Sequence, residues 1–300
     1  MRIAPYVRAT AVTYDPQTGL VLKWESQQET GAYKPRGALN KILQLSTAQR
    51  SAGLVAASAG NHGQGVALAA QVTGSRARVF VPGYAPEIKV EKMRAREAEV
   101  IVVAGGFGEA EQAAQADAAA RGAVYVSAYN DAAVVTGAGT IALDWLQQTP
   151  DLARVLIPLG GGGLLTGMGM VLRQLRPEVE VVGVQSEASA YLYHQFYDGH
   201  MRAVVEQPTL TDGLAGDVEI GITTEYLRQV CDRVVLVSEA EVAAGMRYIG
   251  QRLGEVVEGS AAVGVAAVLA GKIGVDDRVT GALITGKNID PRRWQEIMGV

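Results

Sequence analysis

Short apolar runs alternate with longer Ala-rich segments along most of the chain. Each run is rich in Val, Ile, Leu or Ala, and this composition predicts a strand buried inside a sheet. The predicted strands cover residues 54–57, 77–82, 100–104, 124–127, 155–159, 179–185, 233–237 and 281–285. The segments between them have apolar positions that suit helices, at residues 39–45, 62–72, 87–97, 108–121, 137–148, 164–175, 239–253 and 260–272.

Regular alternation of strands and helices predicts an α/β protein with mostly parallel open sheets flanked by helices. No Pro/Ser-rich linker divides the chain, so we expect a second domain to be formed by the chain leaving and re-entering the first. The expected large, cofactor-binding domain covers residues 1–50 and 131–300, and the small domain covers residues 51–130. Ligands of such sheets bind where strands end and helices begin.

The composition narrows the class of partner. Of the 300 residues, 48% are hydrophobic and 19% charged, which is enough to build a large core. The net charge of −4, without a run of Lys or Arg, excludes the basic surface of a nucleic-acid binder and favours a small-molecule partner. The single Cys231 fits a reducing compartment, and no stretch has the ~20 apolar residues of a membrane span. We therefore expect a cytoplasmic protein.

A first candidate turn contains Lys34, between Tyr33 and Pro35 and just before a predicted helix. A tight, partly apolar turn disfavours the ammonium form by desolvation, and a Schiff base requires the neutral amine. The same residues also fit a solvated lysine beside a helix start. The other turns decide between these alternatives.

A second candidate turn joins the predicted strand 54–57 to the next helix. Small residues there let the backbone approach a ligand, and the helix start offers N–H donors to a carboxylate. A single helix cap would need only one polar residue. This turn, Ser58-Ala59-Gly60-Asn61-His62-Gly63, has three of them, Ser58, Asn61 and His62, around two glycines. The turn therefore favours an anionic ligand over simple capping.

Glycines mark a third candidate turn. Gly160, Gly161, Gly162 and Gly163 follow the strand 155–159 and precede Leu164 and a helix. Consecutive backbone N–H groups aimed along a helix axis form a cradle for phosphate. No Gly-Lys-Ser/Thr follows, so a nucleoside-triphosphate loop is excluded and a cofactor's phosphate monoester fits.

Two further segments give weaker evidence of a ligand-binding site. Thr285, at the end of the last predicted strand, could present a hydroxyl to a ligand, although an ordinary turn fits this segment equally well. Residues 137–142 match a dinucleotide-binding glycine pattern, but the acidic residue expected ~20 positions later is absent. We interpret these glycines as a place of close helix packing.

In their order along the chain, the four turns resemble those of the fold-type II family of pyridoxal-phosphate enzymes, which have the tryptophan synthase β-like fold. The segments 34–38 (Lys-Pro-Arg-Gly-Ala) and 58–63 (Ser-Ala-Gly-Asn-His-Gly) are similar to the threonine/serine dehydratase (threonine deaminase) and serine racemase branch. Segments 22–25, 137–143 and 211–215 match as well. Cysteine synthases, with Lys-Asp-Arg and Ser-Gly-Asn-Thr-Gly, fit less well.

The resemblance implies a pyridoxal 5′-phosphate cofactor and a role for each candidate residue. Lys34 would carry the cofactor as a Schiff base and act as acid and base at Cα. The cofactor would further contact Tyr33, Asn61, Gly160, Gly161, Gly162, Gly163, Leu164, Glu258 and Thr285. The substrate carboxylate would bind Ser58, Ala59, Gly60, Asn61 and His62.

The implied activity is an ammonia-lyase (dehydratase) reaction that converts L-threonine or L-serine to a 2-oxo acid and ammonia. Racemases of this branch carry a second serine at the position of Ala59, which has no proton to transfer, so dehydration is favoured over racemisation. Serine racemase and hydroxyaspartate dehydratase remain as alternatives. The aspartate of the branch's cation site corresponds to Tyr193, although Glu187 remains, and we expect no metal there. A homodimer or higher homo-oligomer is expected from the family.

Two rivals come from other classes of protein. A non-catalytic small-molecule-binding protein could use a similar scaffold, although the retained Lys34 argues against it. A nicotinamide oxidoreductase, suggested only by residues 137–142, would bind a nucleotide and form no covalent adduct at Lys34.

Overall fold

The computed structural model describes residues 2–202, 204, 208–216 and 218–299. Within these residues the strands are β1 (Val12–Asp15), β2 (Leu20–Trp24), β3 (Leu54–Ala57), β4 (Ala77–Pro82), β5 (Glu99–Val103), β6 (Val124–Tyr125), β7 (Arg154–Pro158), β8 (Glu180–Ser186), β9 (Arg233–Val237) and β10 (Thr280–Ile284). The α-helices are α1 (Pro35–Ile42), α2 (Thr47–Ala52), α3 (Asn61–Thr73), α4 (Glu87–Arg94), α5 (Phe107–Arg121), α6 (Ala132–Gln148), α7 (Gly163–Leu175), α8 (Tyr191–Asp198), α9 (Ile222–Val230), α10 (Glu239–Leu253), α11 (Gly259–Leu269) and α12 (Pro291–Met298). None of these helices is long and apolar enough to cross a bilayer.

The strands form two sheets, as the alternating pattern predicts. A six-stranded sheet has the order β1-β2-β10-β7-β8-β9, and every neighbouring pair in it is parallel except β1 with β2. A four-stranded sheet has the order β5-β4-β3-β6 and is parallel throughout. The predicted α/β class with two mostly parallel sheets is confirmed. The domain boundaries stay a prediction, and the smaller sheet lies inside the expected range 51–130.

The predicted strands are all present; three have the predicted ends, and the ends of the others differ by at most two residues. Three of them, β3, β7 and β10, are buried at every residue, which explains why their sequences are plain apolar runs. The pattern does not predict β1, β2, α2, α8, α9 or α12. Strand β1 is an edge strand with exposed positions, and α12 buries none of its residues, so neither has the continuous apolar signal of a buried element.

Helix α6 begins earlier than predicted, at Ala132 rather than at residue 137. Gly137 and Gly139 therefore lie inside the helix, and not at a turn after a strand. A methyl group on Gly137 would lie 2.3 Å from the Arg36 carbonyl oxygen, and one on Gly139 would lie 2.6 Å from the Gly167 carbonyl oxygen. The interpretation of this glycine pattern as close helix packing is confirmed.

A fully buried ion pair fixes the first turn of α1. The Arg36 guanidinium donates from Nε and Nη2 to the two carboxylate oxygens of Glu25, both at 2.8 Å, and neither side chain is exposed. Asp144 of α6 accepts a further contact of 2.8 Å from Nη2, and the Thr140 hydroxyl lies 3.1 Å from Nη1. Burial without these partners would be costly, so the pair holds α1 in one place.

The buried pair makes a test of stability. We expect Glu25→Gln to lower the free energy of unfolding by about 3 kcal/mol or more. The buried Arg36 charge then keeps only one of its two carboxylate partners, Asp144. Glu29→Gln is the matched control, since Glu29 pairs with Arg8 at the surface and its loss should cost ~1 kcal/mol or less. Urea unfolding measures both variants, and equal midpoints for the two would contradict this account.

Candidate active site

A cavity lies at the carboxyl ends of strands from both sheets. It is reached by the residues that follow β3, β7 and β10, which is where parallel α/β sheets place ligands. Every residue assigned to the cofactor or substrate in the sequence analysis lines this one cavity: Tyr33, Lys34, Ser58, Ala59, Gly60, Asn61, His62, Gly160, Gly161, Gly162, Gly163, Leu164, Glu258 and Thr285. Segments far apart in sequence therefore meet as the motifs predict.

Lys34 precedes the first residue of α1 and points its amine across the cavity. Its Nζ donates to the Ala128 carbonyl at 3.0 Å and lies 5.3 Å from the centre of the Tyr33 ring. The Tyr33 N–H donates to the Thr285 carbonyl at 3.0 Å, which ties the lysine turn to the end of β10. The amine and the Thr285 side chain therefore face the same space.

The turn after β3 is organised by its own polar groups. The Ser58 hydroxyl accepts from the Gly60 N–H at 3.0 Å, and α3 begins at Asn61. The Asn61 Nδ2 donates to Glu258 Oε1 at 2.7 Å, while its Oδ1 accepts from Asn288 Nδ2 at 2.8 Å. The amide is thus held by two partners and its orientation is fixed.

The glycine turn after β7 has no room for side chains. A methyl group would lie 2.9 Å from the Leu214 Cα at Gly160 and 2.6 Å from the Tyr129 ring at Gly161. Gly162 has φ of +86°, a conformation that L-residues rarely adopt, and α7 begins at Gly163. A turn without side chains at the start of a helix has the form that a phosphate cradle requires, and the assignment of this turn to a phosphate stays a prediction.

His62 is a neutral imidazole. Burial, and after it the positive charge of Lys34, lower the pKa of His62 to about 3. Its Nε2 lies 2.8 Å from the Val126 carbonyl, so the proton of the neutral ring belongs on this nitrogen. Nδ1 is then a buried acceptor that no hydrogen-bond donor of the described residues reaches.

Glu258 is a buried carboxyl group on the cavity wall. Desolvation raises its pKa to about 7, against the opposing influence of the Lys89 charge. Lys89 itself donates to Asp212 Oδ2 at 2.6 Å, and that carboxylate raises the pKa of Lys89 although burial acts in the other direction. One cation and two carboxyl groups therefore share this side of the cavity.

Some cavity residues escape the sequence analysis. They are Lys89, Phe107, Ala128, Tyr129 and Ser260. Lys89 and Phe107 belong to helices α4 and α5, and Tyr129 precedes α6, so no strand-end motif marks them. Asp212 does fall in the segment 211–215 that matches the family, but the sequence assigns it no role.

The expected absence of a metal at Glu187 stays a prediction. In the structure Glu187 faces an ammonium group, with Oε1 3.7 Å from Lys272 Nζ. The same ammonium donates to Glu241 Oε2 at 2.6 Å and to the Leu236 carbonyl at 2.9 Å. Over the residues that the structure describes, no group of three or more His, Cys, Asp or Glu side chains could hold a metal ion.

Comparison with known proteins identifies the family to which the chain belongs. Residues 1–286 match the family described as pyridoxal-phosphate dependent enzymes, and the chain belongs to this family. It is 42% identical to the L-threonine ammonia-lyase of Thermotoga maritima over 271 residues, which cover 90% of this chain and 67% of that protein.

Solved structures agree with this placement. Threonine deaminase isoform 2 of Solanum lycopersicum superposes with a TM-score of 0.92 at 27% identity, over 99% of this chain and 90% of the other. Maize serine racemase gives a TM-score of 0.92 at 29% identity, over 99% and 94%. The predicted family, fold type and pyridoxal phosphate cofactor are confirmed.

The cavity fits this cofactor on observations of its own. A primary amine, that of Lys34, is available inside the cavity for the cofactor's aldehyde. The glycine turn keeps its backbone N–H groups clear of side chains, as a phosphate requires. Glu258 Oε2 and His62 Nδ1 are buried polar atoms without a partner among the described residues, which indicates that the cavity is shaped for a polar occupant.

The phosphate cradle can be tested by filling it. We expect Gly161→Ala to weaken pyridoxal phosphate binding by about 10-fold or more, because the added methyl group meets the Tyr129 ring at 2.6 Å. The Tyr129 hydroxyl accepts from the Glu219 N–H at 2.9 Å, which holds the ring in place. Gly108→Ala is the matched control, since nothing lies within 4 Å of its added methyl group. Absorbance titration of the apoenzyme measures both, and equal affinities would contradict the assignment.

The neutral imidazole predicts a pH dependence of stability. His62 has a pKa of about 3 in the folded chain and 6.5 as its ordinary value, so below pH 6.5 protonation favours the unfolded chain. The stability that wild type derives from an uncharged His62 should fall by roughly 2 kcal/mol between about pH 7 and pH 5. In His62→Asn this part of the loss is absent. Urea unfolding of both proteins at the two pH values measures it, and parallel losses would refute the neutral buried ring.

Proposed function

We propose that this protein is a pyridoxal-phosphate-dependent ammonia-lyase that dehydrates L-threonine, L-serine or both to a 2-oxo acid and ammonia. One observation carries the proposal: the Lys34 amine, the 58–62 turn and the glycine turn open into one cavity, with Ala59 and not a second hydroxyl beside the substrate turn. The names of the Thermotoga maritima and Solanum lycopersicum relatives support it.

The proposed cofactor contacts follow from the lining of the cavity. The glycine turn 160–163 and the start of α7 would hold the phosphate, with Leu164 beside them. The Asn61 amide would contact the phenolic oxygen, and Tyr33 lines the cavity next to Lys34. When bound, the cofactor supplies a conjugated ring that takes up the negative charge developing at Cα.

Thr285 is proposed to face the ring nitrogen, with Glu258 close to the ring. A hydroxyl at that nitrogen, unlike a carboxylate, does not hold a full proton there. With the cofactor bound, charge at Cα would then be stabilised less, which would favour early departure of the β-hydroxyl. Thr285 at this position would therefore favour elimination over transamination.

The substrate carboxylate is proposed to bind the turn from Ser58 to His62. Two features of the turn suit an anion: the unpaired N–H groups at the start of α3, and the side chains of Ser58 and Asn61. This placement directs Cα toward Lys34, whose amine is proposed to remove the Cα proton.

The catalytic assignment makes a direct prediction. In Lys34→Ala the formation of 2-oxo acid from L-threonine and L-serine should fall by about 1,000-fold or more, because both the covalent attachment and the Cα base are lost. Lys41→Ala, in the helix that follows Lys34, is the matched control, since Lys41 pairs with Asp131 away from the cavity. Keto-acid production is the measurement, and a Lys34→Ala variant with the wild-type rate would overturn the assignment.

Serine racemase activity is a second candidate, favoured by the likeness to maize serine racemase. We expect racemisation to be a minor activity, because the Ala59 methyl group cannot transfer a proton to the other face of Cα. We expect wild type to form 2-oxo acid with little D-serine, and Ala59→Ser to increase the D-serine share. Chiral analysis beside a keto-acid assay decides, and D-serine as the main wild-type product would replace the dehydratase proposal.

We further propose the division into a large domain (1–50 and 131–300) and a small domain (51–130), a cytoplasmic location and a homo-oligomeric state. The four strands of the smaller sheet lie within the small-domain range. The free, buried Cys231 fits a reducing compartment. Limited proteolysis and sedimentation measure the boundaries and the oligomeric state.

A further inference from the structure

Glu258 has one carboxyl oxygen that the described part of the structure leaves without a partner. Oε1 accepts from Asn61 Nδ2 at 2.7 Å, whereas Oε2 is buried and makes no hydrogen bond there. The residue is 3% exposed and lines the cavity that contains Lys34. An unpaired buried oxygen is costly as a carboxylate, whereas the hydroxyl of the neutral acid carries no charge and can donate a hydrogen bond.

The charges around Glu258 act in both directions, and burial is the influence that favours its neutral form most strongly. The charged groups that face it are Lys89 and Lys92 of α4 and Asp212 of the turn 211–214. Lys89 is committed to Asp212 at 2.6 Å, and Arg293 of α12 acts on Lys89 from the other side. Burial opposes the ionisation of Glu258 most strongly, and the Asp212 carboxylate adds to this effect. The Lys89 charge and the hydrogen bonds from Asn61 and Asn288 act in the other direction.

We propose that Glu258 is a protonated carboxylic acid that donates its proton to the departing β-hydroxyl of the substrate. The inference rests on the proposed dehydratase function and adds the residue that supplies the proton of the water formed. Asn61 donates to Oε1, so the proton of the neutral acid belongs on Oε2. The Lys89–Asp212 pair is a positioning pair, since it acts through the charge of Glu258.

The step balances in atoms and charge. The Cβ–O bond breaks with its electron pair on oxygen, and the Oε2 proton forms the second O–H bond of the leaving water. Lys34 holds the proton taken from Cα, and Glu258 is left as a carboxylate. Exchange with solvent returns a proton to Glu258 and removes one from Lys34.

Comparison of two leaving groups tests this step. Chloride leaves without a proton, so a proton donor matters for L-serine and much less for β-chloro-L-alanine. We expect Glu258→Gln to slow pyruvate formation from L-serine by about 100-fold or more, and from β-chloro-L-alanine by less than about 10-fold. Glu255→Gln, the same change on the preceding loop outside the cavity, is the control and should slow neither. Equal losses on both substrates would show a structural role and overturn the proposal.

Infrared spectroscopy provides a readout that does not depend on activity. Below pH 7 the holoenzyme should show a carboxylic-acid C=O stretch that is missing from Glu258→Gln and kept in Glu255→Gln. Because the pKa of Glu258 is about 7, the band and the rate on L-serine should both fall as the pH rises through that value. Identical spectra for wild type and Glu258→Gln would overturn the proposal even if wild type dehydrates serine.

Asp212→Asn covers the case in which Glu258→Gln does not fold. The substitution removes a carboxylate that raises the pKa of Glu258 and releases Lys89 to pair with it. The alkaline loss of activity on L-serine should therefore move to lower pH, and an unmoved profile would contradict the inference. If wild type forms a 2-oxo acid from neither L-threonine nor L-serine, the dehydratase proposal fails instead, whatever the infrared band shows.

Discussion

Close backbone packing around helix α1 is the constraint on which the site depends. A methyl group on Gly65 of α3 would lie 3.0 Å from the Lys34 carbonyl carbon, and one on Gly137 of α6 would lie 2.3 Å from the Arg36 carbonyl oxygen. The buried Arg36–Glu25 pair then fixes the side of α1 that faces the core. Two helices and an ion pair thus hold the first turn of α1, which fixes the position of the adjoining Lys34 Cα. Only the Lys34 side chain is left free to move within the cavity.

The two sheets contribute unlike chemistry to the cavity. The larger sheet brings the glycine turn, Thr285 and the carboxyl group of Glu258, while the smaller sheet brings the turn at Asn61 and the cation Lys89. Contacts between the two sets are polar, namely the Asn61–Glu258 hydrogen bond and the Lys89–Asp212 ion pair. The contacts that join the two sides of the cavity therefore also influence the charges inside it. A change in the position of one side would change the protonation of the groups on the other.

The sequence predicts the parts of the site that follow strand ends. The 58–62 turn and the glycine turn could be found because small and polar residues crowded at the end of an apolar run are typical of a ligand-binding turn. Lys34 was found by a different signal, a tight and partly apolar turn just before a predicted helix. Lys89 could not be found, since it lies inside a helix and reaches Asp212, 123 residues away, only through tertiary packing. Strand β1 was missed for a related reason: an edge strand with exposed residues has no continuous apolar run.

The central claim, that the Lys34 amine is the group that holds the cofactor, has one most direct measurement. Borohydride reduction of the holoenzyme, followed by peptide mass mapping, identifies the lysine that carries the pyridoxyl group. The account predicts a single label on Lys34, whose Nζ lies inside the cavity. A label on Lys89, the other lysine of that cavity, or no stable label at all, would contradict it.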